Sequence, residues 1–149
     1  MKTVKVQVKR SPGATDLPLP HYQTDGAAGM DLCADVSGEV ILAPGEIRLI
    51  PTGISISLPH GYEAQVRPRS GLSLKHGVTL VNSPGTIDSD YRGVVQLPMI
   101  NHGKLPYSIT RGARLAQMVI QEVVRAEIEV CDNLSETARA AGGFGHTGV

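Results

Sequence analysis

Asp88 and Asp90 sit two apart in the segment Asn82-Ser-Pro-Gly-Thr-Ile-Asp-Ser-Asp-Tyr-Arg-Gly93, just past a Pro84-Gly85 turn. On one face of an extended backbone, two carboxylates can hold a cation or take a proton from water; the plainer alternative is a polar turn. A calcium loop is excluded, because counting from Asp88 puts Arg92 at the fifth ligand position and Met99 where a bidentate Glu is required. In Arg67-Pro-Arg-Ser-Gly-Leu-Ser-Leu-Lys-His-Gly77, Arg69, the Ser70 hydroxyl and the amides of Ser70 and Gly71 meet at a helix start. Such donors suit an anion, although a capped helix with solvated cations uses the same residues. Asp31, inside the apolar run Ala28-Gly-Met-Asp-Leu-Cys-Ala-Asp35, needs an arginine or a metal-bound water as partner if it points into a strand. Arg111-Gly-Ala-Arg-Leu-Ala-Gln117 adds two guanidinium groups and an amide, or else simply leads into a strand.

Gly143-Phe-Gly-His-Thr-Gly148 fits G-x-G-x-x-G, but a dinucleotide fingerprint must follow a strand and open a helix, and only Val149 follows here. What this segment offers is successive backbone N–H groups, a hydroxyl, an imidazole and the ring of Phe144, with Arg139 upstream. A mobile tail is the alternative. The five histidines, His21, His60, His76, His102 and His146, show no metal-ligand spacing, and no P-loop or nucleophile-elbow motif occurs.

The elements that must position these residues read as strands. Val4, Val6 and Val8 alternate with polar residues, as do Ile54, Ile56 and Leu58, and period two marks half-buried strands. Further strands are predicted at 39–42, 47–50, 62–66, 78–81, 94–100, 115–124 and 127–130, with turn residues between them. The 115–124 run also carries helical spacing, but its Val and Ile content favours a strand. One short helix is predicted over 70–75, with Ser70 as its N-cap. Many short strands and turns make an all-β sandwich or barrel. Gly 17 and Pro 10 of 149 residues are about 18%, above the usual 12% or so, and favour short elements over long helices. With one Phe and no Trp, the core must be aliphatic and β-branched.

One domain suits this length. No run approaches the ~18 apolar residues of a membrane span, and the N-terminus lacks a signal-peptide core, which points to the cytoplasm. Cys33 and Cys131 show no disulfide or zinc-thiolate spacing. Fourteen cations against 14 acids give zero net charge, which argues against a nucleic-acid or membrane-surface binder. The balance is uneven along the chain: five Arg and two Lys face three acids between Glu63 and Gln117. Guanidinium forks are the usual choice for bidentate phosphate contacts.

Taken in order, the segments AGMDLCAD, RPRSGLSLKHG, NSPGTIDSDYRG, RGARLAQM and RAAGGFGHTG resemble the five motifs of the trimeric dUTPase family, over nearly the whole chain. The resemblance implies a jelly-roll-like β fold over 1–136, a tail over 137–149 that closes over the site, and a homotrimer with shared active sites. It implies Mg²⁺-dependent hydrolysis of dUTP to dUMP and pyrophosphate, which keeps uracil out of DNA and supplies dUMP for thymidylate synthesis. By the same resemblance, Asp88 activates the water that attacks the α-phosphorus, and Asp31 supports Mg²⁺ through water, the ion lying mainly on triphosphate oxygens.

Arg69, Ser70, Gly71 and Gln117 then hold the phosphates, while Arg139, Gly145, His146 and Thr147 close over them. Backbone groups of Gly85, Thr86 and Ile87, with Asn82 beside them, read uracil; Tyr91 packs on deoxyribose and excludes a 2′-hydroxyl; Phe144 covers the base. Ala140 departs from the glycine common after the tail arginine. The related dCTP deaminases would call for a Glu shortly after the third motif, and 93–101 contains none. A non-catalytic nucleotide sensor on the same scaffold would have no use for Asp88.

Overall fold

The computed structural model describes residues 2–145. The order of elements is β1 (Gln7–Arg10), β2 (Met30–Cys33), β3 (Val40–Leu42), β4 (Ile47–Ser57), β5 (Tyr62–Pro68), α1 (Ser70–His76), β6 (Val78–Leu80), β7 (Gly85–Ile87), β8 (Val94–Asn101), β9 (Tyr107–Ile109) and β10 (Arg114–Glu122). Two four-stranded sheets, ordered β1-β4-β8-β6 and β2-β10-β5-β7, and a β3-β9 ribbon make an all-β fold with one short helix, and every pairing is antiparallel.

Period-two patterning produces the core. In β8, Val95, Leu97, Met99 and Asn101 point inward while Gln96 points out; in β5, Ala64 and Val66 do the same. All of these but the polar Asn101 and the outward Gln96 join Leu32, Ile50, Ile54, Ile56, Leu115 and Met118 in one cluster. No aromatic side chain is among the buried hydrophobics of the described residues, as the composition requires.

The structure changes several local expectations. The run 47–50 and all of the 54–58 run but Leu58 belong to one strand, β4, whose register shifts between Pro51 and Ser55 where β8 passes alongside. β2, β7 and β9 are strands of three or four residues, too short to display a period. Ser70 is not the cap of α1: Arg69 occupies that position with φ −97° and ψ 124°, and no side-chain cap bond is made. The predicted strand at 127–130 does not form. β10 ends at Glu122, and 123–145 runs on without a strand, with Val124, Ile128, Val130 and Leu134 each more than four-fifths exposed.

Two polar devices hold the loops. Arg111 binds Asp16 with both forks, Nε to Oδ2 and Nη2 to Oδ1, each 2.8 Å, and also bonds Gly13 O and Asp35, so it pins the 11–17 excursion to the body. Its guanidinium holds the Asp16 carboxyl down at about 2. Asn101, fully buried, donates from Nδ2 to Leu42 O (2.9 Å) and Leu105 O (2.8 Å) and accepts from Gly103 N–H (2.8 Å). Nearby, Gly77 ends α1 in the left-handed region at φ 69°; a Cβ there would lie 2.6 Å from Gly103 N, so only glycine fits.

Replacing Asn101 with Leu leaves the buried Leu42 carbonyl without this donor and takes the partner from the part-buried Leu105 carbonyl and Gly103 amide. Unfolding by denaturant is expected to show a loss of at least about 2 kcal/mol, because each buried orphan costs roughly 1–3 kcal/mol.

Candidate active site

The outer face of the β2-β10-β5-β7 sheet is polar because its inner face is core. Register puts Asp31 of β2 directly opposite Gln117 of β10, which in turn faces Arg67 of β5. Cross-strand partners share a face, so these three side chains form one row, flanked by buried Leu32, Ala116, Met118 and Val66.

Arg69 and Arg114 converge on Asp31. Arg69 Nε lies 3.0 Å from Asp31 Oδ1, Arg114 Nη1 donates to Oδ2 at 3.1 Å, and Arg69 Nη1 donates to Arg114 O at 3.0 Å. A register shift in β10 between Arg114 and Ala116 helps make this possible: a bulge re-aims side chains at its strand. The Asp31 side chain is 14% exposed and those of Arg69 and Arg114 are 31% and 53% exposed, so the cluster holds a net positive charge at the surface. Cys33, two residues along β2 from Asp31, has its thiol pushed up by burial and by the Asp31 charge, which keeps it a neutral, inert neighbour.

Gln117 Nε2 donates to Pro68 O at 3.0 Å, which fixes the amide beside the start of α1. Gly29 makes room for it: a Cβ at that position would lie 3.2 Å from Gln117 Cδ and overlap Oε1. At α1 the Ser70 hydroxyl is exposed, and the amides of Ser70 and Gly71, as the first of the helix, have no intrahelical acceptor. This face can therefore offer charged and neutral donors to an anion.

A cleft of about 320 Å³ lies at the free edge of β7. β7 bonds only to β5, so its other edge presents unpaired backbone groups. Asn82, Gly85, Thr86, Ile87, Asp88 and Tyr91 line this cleft, with Leu80 and Val95 among its apolar walls. Asp88 and Asp90 do not share a strand face: β7 stops at Ile87, and 89–90 turn, closed by Tyr91 N–H bonding to Asp88 O at 3.1 Å. Both carboxylates are exposed.

The sequence-predicted residues thus fall into two groups. Asp31, Arg69 and Gln117 sit on the anion face with Ser70 and Gly71; Asn82, Gly85, Thr86, Ile87, Asp88 and Tyr91 line the cleft, which none of the first group lines. Arg139 donates to Gly142 O within its own turn, and Phe144 is fully exposed, so neither meets either group. His146 and Thr147 lie outside the described residues. Arg114 and Arg67 were missing from the expected set. Arg67 has its guanidinium engaged by Gln65 Oε1. The available signal was register: Arg67 precedes Arg69 by two, and Arg114 precedes Gln117 by three across a bulge no spacing rule reveals. Arg111, three residues earlier in the same motif, is structural.

A family model described as dUTPase matches residues 15–148. A deoxyuridine 5′-triphosphate nucleotidohydrolase of Caldanaerobacter subterraneus subsp. tengcongensis is 60% identical over 147 residues, 99% of each chain. One of the same name from Thermoanaerobacter sp. is 59% identical over 147 residues, again 99% of each. The solved dUTPase of Staphylococcus bacteriophage 80alpha with dUPNHPP superposes with a TM-score of 0.88 at 26% identity, over 99% of this chain and 100% of that one.

The Asp31 pairings make a prediction with opposite signs for two explanations. If Asp31 mattered only as negative charge, Asp31→Asn would tighten anion binding. As the group that holds both guanidinium forks, its loss is expected to weaken inorganic triphosphate about tenfold by calorimetry, the worth of roughly one charge-assisted hydrogen bond.

Proposed function

The chain belongs to the dUTPase family and hydrolyses dUTP, and from that premise we propose how its residues divide the work of making dUMP and pyrophosphate. Asp88 takes the proton of a water whose oxygen bonds to the α-phosphorus, as the bond to the bridging oxygen breaks and pyrophosphate leaves. The observation that carries this reading is the cleft itself: an exposed carboxylate stands at the end of a free strand edge sized for a base and sugar.

Uracil presents an acceptor at O4 and a donor at N3, and the unpaired edge of Gly85–Ile87 offers backbone donors and acceptors, with the Asn82 side chain beside them. Cytosine reverses both groups, so a site built for uracil leaves buried groups unpaired with it, a mismatch that reaches roughly 10⁴–10⁵-fold in such sites. Tyr91 forms the wall against deoxyribose. Arg69, Ser70, Gly71 and Gln117 hold the triphosphate, and donors already in place around developing phosphoryl charge supply much of the rate.

Among the described residues, no three His, Cys, Asp or Glu side chains gather to hold a metal, and Asp31 is engaged by two arginines. That donor set fits Mg²⁺ carried mainly on triphosphate oxygens, since this ion keeps several waters and needs no protein cage, with Asp31 reaching it through water. When bound, the ion neutralises charge on the phosphate chain. Two unpaired cysteines suit the reducing cytoplasm, where the free nucleotide pool is found; no described helix is long and apolar enough to cross a membrane.

The assembly we propose is a homotrimer with shared sites. Its support is twofold: the phosphate-holding group and the base cleft occupy different places on one chain, and Val124, Ile128, Val130 and Leu134 stand exposed on a segment with no partner of its own. A neighbouring copy answers both. The tail from 137 onward then closes over the nucleotide, with Phe144 on uracil and Arg139, Gly145, His146 and Thr147 on the phosphates.

Pyrophosphate release with Mg²⁺ across dUTP, dCTP, dTTP and UTP tests the activity, which is expected for dUTP alone; no release from dUTP overturns it. Asp88→Asn is expected to bind dUTP nearly as tightly but to turn over about 10²–10⁴-fold more slowly, the usual worth of a positioned base; undiminished turnover removes Asp88 from its role. Deleting 138–149 is expected to leave the melting temperature within about 1–2 °C, since surface changes rarely exceed ~0.5 kcal/mol. Loss of base stacking and phosphate closure should lower kcat/KM by at least about tenfold.

A further inference from the structure

Tyr91 is tied down at both ends of its side chain and backbone. Its Oη donates to Val94 O at 3.1 Å, and its N–H closes the turn to Asp88 O at 3.1 Å. Arg92 Nη1 donates to Ser89 O (2.7 Å) and Tyr91 O (2.8 Å), stapling the same turn. Val94 is itself fixed by pairing with Ser55 of β4. Yet the residue is 44% exposed, so tethers more than packing set where the ring stands.

Beneath the ring lies Gly93. A Cβ built there would fall 2.5 Å from Tyr91 Cζ and 2.9 Å from Cε2, and nearer still to Oη. No real side chain sits that close, and Gly93 has an ordinary backbone conformation, outside the left-handed region. Its want of a side chain therefore answers to the ring above it and not to the path of the chain.

We propose that Gly93 is a specificity-determining position: its bare backbone lets the Tyr91 ring fold flat enough for Oη to reach Val94 O, and this sets the depth of the sugar wall. Deoxyribose and ribose differ by one oxygen, so a wall that excludes ribose must be held to within a fraction of an oxygen's width. An exposed aromatic ring with two free torsions does not provide that; a ring seated on bare backbone and bonded at its tip does. Any side chain at 93 lifts the ring, breaks the tether to Val94 and opens room for a 2′-hydroxyl. The inference rests on the placing of Tyr91 against the sugar in the functional reading.

The experiment measures kcat and KM for dUTP and UTP separately, with Mg²⁺, for the full-length wild type, Gly93→Ala and Tyr91→Phe. Gly93→Ala is expected to lower the ratio of kcat/KM for dUTP over UTP by about tenfold or more, through a gain on UTP as well as a loss on dUTP. Tyr91→Phe, which keeps the ring and removes only its tether, should lower the ratio by a smaller factor. It also decides the matter if the alanine variant does not fold. An unchanged ratio in the variants that fold, whether or not overall activity falls, overturns the inference, because a merely structural glycine would weaken both substrates alike. Failure of the wild type to release pyrophosphate from dUTP overturns the functional reading, and this inference with it.

Discussion

The antiparallel pairing of β10 with β2 on one side and β5 on the other is the constraint from which the anion face follows. Met30–Cys33, Arg114–Glu122 and Tyr62–Pro68 are far apart in the chain, and only their hydrogen-bonded register brings Asp31, Gln117 and Arg67 into line. The register is held because the opposite face is core: a slip of one residue would bury Asp31 and Gln117 and expose Leu32 and Met118. Hydrophobic burial thus specifies the placement of polar groups that contribute little to stability themselves. The single irregularity, between Arg114 and Ala116, falls where a second guanidinium is turned toward Asp31.

Charge follows the same logic of local order inside a neutral whole. Net charge is zero, and many ion pairs are exposed and contribute little, as Lys2 with Glu122 does. What differs at the site is geometry. Asp31 accepts from two arginines and so holds them in fixed directions, whereas Arg111 expends its donors on Asp16, Asp35 and loop carbonyls. Two arginines three residues apart in one motif have opposite tasks, one closing a loop and one facing solvent beside Asp31 and Arg69.

How much of this was legible in the sequence depended on range. Strands with four or more alternations, such as β8 and the second half of β4, declare their faces through local hydrophobic period. β2, β7 and β9 do not: three or four residues carry no measurable period, and where the equally short β3 and β6 show themselves it is through composition and flanking turns. The 127–130 alternation misled for the complementary reason: Ile128 and Val130 have a strand's pattern, but a strand needs a neighbour, and within one chain this segment has none. Ser70 misled as a cap because its side chain suits that position, while the extended backbone of Arg69 ends β5's run and takes the boundary one residue earlier. Asp88 and Asp90 share a face only on an extended chain; the polar turn that the same residues allow is what forms after Ile87, and it parts them. The motifs named the segments of the anion face and the cleft but not Arg67 or Arg114 within them, since nothing in R-x-x-R spacing distinguishes the arginine that pins a loop from the one that meets a carboxylate across a bulge.

The exposed segment after Glu122 and the divided site are two aspects of one economy. An apolar alternation is stable in water only when covered, and a chain of this length has already committed its sheets to a single aliphatic core without aromatic bulk. Val124, Ile128, Val130 and Leu134 lie outside that core, and the proposed association would bury them. In the trimer we propose, the same association would bring the proposed phosphate-holding residues of one copy to the cleft of another. On the proposed trimeric reading, folding and activity therefore have different requirements: one chain suffices to order Asp31 between its arginines and to seat Tyr91 on Gly93, and only assembled copies bring the water-activating carboxylate to the phosphates it must serve.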